Sequence, residues 1–176
     1  MRFAPVVVSF LLAGCGPWSP GDSGTATGGG ADCVDFGFEA AASPSMTVTQ
    51  MVYNAGALAT TFDPNADYQE WGPSGCYNPS SGEFQWVFES GGQPVGALRA
   101  QATTEGNQDL ASTTGGTLEF RMYKDDLVET TFTNVHFVSG TYTVNSLDPF
   151  QVTVNGNANN NGNTLMVNLT ARASKP

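Results

Sequence analysis

The stretch Glu83-Phe84-Gln85-Trp86-Val87-Phe88-Glu89 alternates with a period of two: Phe84, Trp86 and Phe88 project one way, Glu83, Gln85 and Glu89 the other. Successive side chains point to opposite faces in a strand, so a half-buried strand is expected, with the aromatics in the core. The period returns at 117–124, where Leu118, Phe120 and Met122 oppose Glu119, Arg121 and Tyr123, and at 164–170, where Leu165, Val167 and Leu169 share a face. Shorter strand candidates lie at 46–53, 57–62, 95–103, 127–133, 135–138, 141–145 and 150–154. Asp125-Asp126 separates two of these as a hairpin connection, and the Gly/Asn-rich stretch 155–163 reads as a turn. No segment sustains the i, i+3, i+4, i+7 apolar stripe of a helix. Many short strands punctuated by Gly, Asn, Asp and Pro predict an all-β fold, an antiparallel two-sheet β-sandwich or jelly roll, over residues 32–176.

Ahead of that domain the composition changes twice. Arg2 is a minimal positive start, and residues 3–12 form an apolar run too short to span a bilayer as a permanent helix. Leu12-Ala13-Gly14-Cys15 closes the run. This tetrapeptide resembles the lipobox of bacterial lipoproteins. The resemblance implies that the signal 1–14 is removed, that Cys15 becomes the first residue and carries lipid, and that the protein is held at the cell envelope. Gly16, in place of the Asp that resembles an inner-membrane retention signal, points towards the outer membrane. Residues 15–31 hold the lipidated Cys15 and a linker rich in Gly, Ser, Thr and Pro, with a mean reach of roughly 20–25 Å.

Charge narrows the partners. The net charge is -10, and losing Arg2 with the signal takes it to -11, so a nucleic-acid partner is not expected. Nor is attraction to anionic lipid, which leaves the membrane contact to the lipid on Cys15. With Cys15 so occupied, Cys33 and Cys76 remain of the three cysteines. In an oxidising compartment they are expected to form a disulfide, drawing Phe36 and Phe38 towards Trp71 and Tyr77.

The motifs with chemical content are few. Gly21-Asp22-Ser23-Gly24 resembles the nucleophile motif of trypsin-like proteases, but it lies in the linker and the single histidine, His136, follows it by most of the domain. His136, between Val135 and Phe137, has no nucleophile near it in sequence and is expected to be exposed or structurally hydrogen-bonded. Asp63, Asn65 and Asp67 place oxygen ligands at alternate positions and resemble the start of an EF-hand calcium loop. Tyr68 stands where that loop wants Gly and Ser74 where it wants Glu, so the match to a Ca2+ loop stops at these three residues, and no cofactor is required. Residues 63–82 read as a long Gly/Pro-rich loop, in which Tyr68, Trp71 and Tyr77 are candidate ligand-binding aromatics.

These readings predict a lipid-anchored envelope protein, periplasmic or surface-facing, with a non-enzymatic interaction domain and a protein or glycan partner. The alternative is a carbohydrate-binding module, or a glycoside hydrolase, working through the 63–82 loop.

Overall fold

A computed structural model of the chain describes Cys33 and residues 37–55, 74–90, 93–110, 115–124 and 127–176. The expected signal and linker, and the strand candidate 57–62, lie outside these residues. The described strands are β1 (Glu39–Ala40), β2 (Ala42–Ala55), β3 (Ser74–Asn78), β4 (Glu83–Ser90), β5 (Gln93–Ala102), β6 (Gly106–Gln108), β7 (Gly116–Lys124), β8 (Leu127–Thr133), β9 (Phe137–Leu147), β10 (Phe150–Asn160) and β11 (Asn163–Ser174). They form a six-stranded antiparallel sheet in the order β1-β3-β4-β5-β7-β8 and a five-stranded one in the order β2-β11-β10-β9-β6. Of the two expected architectures this is the sandwich. Strands β3 to β8 and β9 to β11 pair mostly with their sequence neighbours, whereas a jelly roll interleaves its strands.

The inner faces follow the period-two pattern. Phe84, Trp86, Leu118, Phe120 and Met122 from one sheet meet Val152, Val154, Leu165, Val167 and Leu169 from the other, all buried. Phe150 links the layers, stacking on Phe84 with centroids 4.8 Å apart and planes 6° from parallel. Trp86 satisfies its indole N–H at the Arg172 carbonyl, 3.1 Å away on β11. Each fully buried large side chain contributes about 1.5–3 kcal/mol by leaving water.

A polar chain closes one side of the sandwich. Asn163 Nδ2 donates to Thr130 Oγ1 (2.8 Å), Thr130 and the Tyr53 phenol are 2.9 Å apart, and Tyr53 donates to Glu129 Oε2 at 2.9 Å. The directions are consistent if Thr130 passes its own proton to Tyr53. Asn160 Nδ2 also donates to the Thr131 carbonyl (2.8 Å). The β10–β11 hairpin thereby covers part of β8, an edge strand whose backbone would otherwise be open to pairing.

Four expectations need correcting. Residues 155–163 are not a turn: β10 runs to Asn160 and β11 starts at Asn163, leaving Asn161-Gly162 as a two-residue connection with both φ positive (54° and 90°). The strand was hidden because its inward residues shrink to Gly156 and Ala158. A Cβ on Gly156 would lie 2.8 Å from the Phe137 ring, so the large side chain comes from β9 instead. Of the 135–138 candidate only Phe137 and Val138 are strand. Asn134–His136 is a single 3-10 turn, and 137–147 is one strand where two were expected. Within 63–82, residues 74–78 are β3, an interior strand and not loop. Phe38 is not drawn to Tyr77: its ring lies under the Arg99 guanidinium, 5.2 Å from the centroid. The short β6 had no apolar alternation to announce it.

Candidate functional site

Of the residues singled out from sequence, Cys15, Asp63, Asn65, Asp67, Tyr68 and Trp71, with Phe36, lie outside the described residues. Tyr77 lies on β3, half-buried. One side of its ring packs on Phe84 at 4.8 Å between centroids, and the Lys175 ammonium stands 5.8 Å from its centroid. Cys33 and Cys76 are disulfide-bonded, with Cα atoms 5.5 Å apart. Cys76 is fully buried, and the bond ties the start of the domain to β3. His136 has a structural role: its Nδ1 accepts the Thr133 backbone N–H at 2.9 Å. Among the described residues no three His, Cys, Asp or Glu side chains gather as a metal-ligand set.

The outer faces of the two sheets differ in chemistry. On the six-stranded sheet, cross-strand register aligns Cys76, Gln85, Arg99, Glu119 and Thr133 in one row. Arg99 Nε donates to Gln85 Oε1 and Arg121 Nε to Glu119 Oε1, both at 2.6 Å. Burial lowers the Arg99 pKa, and the neighbouring Arg121 lowers it further. Burial raises the Glu83 pKa, with Glu119 adding to the effect and Arg121 opposing it. The charges on this face are arranged against one another. The partly exposed Arg121–Glu119 pair is of a kind worth about 0–1 kcal/mol.

The five-stranded sheet presents an almost uncharged array. Pairing registers set its outward residues in rows: Ser45-Arg172-Gln151-Ser146; Thr47-Thr170-Thr153-Thr143-Asn107; Gln50-Asn168-Asn155-Thr141; Val52-Met166-Asn157-Ser139; and Asn54-Thr164-Asn159. Arg172 is the single charge in these rows. Hydroxyls and amides cross-link parts of the array: Thr153 Oγ1 to Asn145 (2.8 Å) and Thr170 (3.0 Å), Thr143 to Asn107 (2.8 Å), Asn157 to Ser139 (3.1 Å). Thr49 Oγ1 donates to the Asn168 carbonyl at 3.1 Å, while the side chains of Gln50, Asn155 and Thr141 are exposed and that of Asn168 is partly exposed.

At one end of this face an open depression of about 280 Å³ is lined by residues including Asp109, Leu110, Phe137 and Val138. Val135 and the rim residue Val138 are strongly exposed beside it, at 68% and 73%.

Sequence reading did not identify the five-stranded face as a site. Its signal is present, in Gln151, Thr153, Asn155, Asn157 and Asn159 at every second position, but the strand pattern read from sequence stops at 154, and Asn155, Asn157 and Asn159 fall in the stretch that reads as a turn. Comparison with protein-family models, with characterised proteins and with solved structures found no match.

Proposed function

We propose that this protein is a lipid-anchored component of a bacterial cell envelope, tethered through Cys15, whose sandwich domain recognises a partner and is not a catalyst. The anchor rests on the Leu12-Ala13-Gly14-Cys15 motif. The observation that carries the recognition role is the outer face of the five-stranded sheet. It is a broad array of amide and hydroxyl groups held on paired strands, in a chain with few charges. Side chains on paired strands are already placed for binding, which reduces the ordering cost of association. The alternative, glycan binding through the 63–82 loop, rests on Tyr68 and Trp71, since the Tyr77 ring is engaged by Phe84 and Lys175.

Two measurements test the reading. In detergent phase separation the parent is expected in the detergent phase and Cys15→Ser in the aqueous phase; partition of both into detergent rules out the Cys15 anchor. The aqueous Cys15→Ser protein is then added to isolated envelopes. It should be retained, and Asn155→Asp with Asn168→Asp should reduce retention. Equal retention of both proteins removes the face from recognition.

A further inference from the structure

We infer that the outer face of the five-stranded sheet binds a neutral polysaccharide, laid across the strands along the row Gln50-Asn168-Asn155-Thr141. This rests on the recognition reading above and names the class of ligand. The argument begins with what the face lacks. A partner of opposite charge needs a charged surface, and the rows hold only Arg172 in a chain of net charge -10. Protein interfaces concentrate their binding energy in buried Trp, Tyr and Arg. Here the rows offer no Trp or Tyr, and Val52 and Met166 are their larger apolar side chains.

What the face does offer matches a hydroxyl-rich, uncharged chain. Each Asn or Gln amide has two N–H donors and an acceptor oxygen, and each Thr hydroxyl both donates and accepts. Sugar hydroxyls also do both, so the same rows can serve them in either direction. Thr methyl groups add small apolar patches for the C–H faces of sugar rings. The row spans four strands, about 14 Å at the usual strand spacing, with flanking rows about 7 Å to either side. That is long enough for several linked sugars. The Thr row beside it is already cross-linked through Thr153, Thr170 and Thr143. These bonds hold one border of the track, while the side-chain amides and hydroxyl of the central row are exposed or partly exposed to a ligand.

Native gel electrophoresis in the presence of polysaccharide tests this. The full acylated chain in detergent micelles is run in gels containing dextran, mannan, xylan or hydroxyethyl cellulose, in a gel containing anionic alginate, and in a gel without polymer. Retardation is expected in at least one neutral polymer, with affinity about ten-fold weaker for Asn155→Ala/Asn168→Ala. Thr117→Ala, on the opposite sheet, should bind as the parent does, and all three proteins should melt alike. The inference is overturned by migration unchanged in every neutral polymer, by retardation in alginate alone, or by undiminished retardation of the double variant. If envelopes retain the protein through Asn155 and Asn168 while no neutral polymer retards it, the polysaccharide is wrong and the recognition reading stands.

Discussion

Loss of the Cys33–Cys76 bond is expected to cost about 3 kcal/mol and to loosen one edge of the six-stranded sheet first. The bond spans a sequence separation of 43, for which the chain-entropy model gives a ceiling of about 4 kcal/mol. Residual compactness of the denatured chain lowers the net value. The structure shows what the bond protects. Strand β1 has two residues, held to β3 by the pairs Glu39↔Tyr77 and Ala40↔Cys76 and followed by a bond from the Ala41 N–H to the Gly75 carbonyl at 2.9 Å. An edge this short cannot persist through backbone pairing alone, so without the disulfide it opens well before the sheet. The variant Cys33→Ser/Cys76→Ala removes both thiols and leaves only a small void at the buried Cys76 site. Thermal unfolding should show a midpoint about 6–12 °C lower, and hydrogen exchange at the Ala41 amide should quicken more than exchange at core amides. A shift below about 2 °C, with Ala41 as protected as in the parent, would refute the reasoning and assign this edge to packing alone.

Three further outcomes follow from the packing. Tyr53→Phe removes the phenol that joins Thr130 to Glu129 and should lower unfolding free energy by about 1–2 kcal/mol in urea titration; no change would mean that the polar chain adds nothing to closure. Burial raises the pKa of both Tyr53 and Tyr142, so the unfolded chain ionises at these residues first. Stability is therefore full below about pH 10 and falls as pH rises above it, a decline that Tyr142→Phe should flatten. Gly140→Ala places a Cβ 2.1 Å from the Asn155 carbonyl oxygen at a φ of +126°, and is expected to destabilise by at least about 2 kcal/mol, measured as a lower denaturation midpoint.

Much of the fold was determined by the sequence alone. Wherever large apolar residues alternate with polar ones, as at Phe84 and Trp86 or Leu118, Phe120 and Met122, burial of alternate residues dictates both the strand and its inward face. The cysteine pairing followed from the small number of thiols and the expected compartment. What escaped was local sequence whose meaning depends on a distant neighbour. Gly156 and Ala158 read as turn until Phe137 on β9 fills the space their missing side chains leave. Residues 74–78 read as loop until pairing with β4 and the bond to Cys33 make them an interior strand. The candidate site belongs to the same class. Gln50, Thr141, Asn155 and Asn168 are scattered single residues in the chain, each unremarkable on a solvated strand face. Only the registers of β2, β11, β10 and β9 bring them into one row, because neighbouring strands in a sheet are chosen by tertiary pairing, which no local pattern encodes.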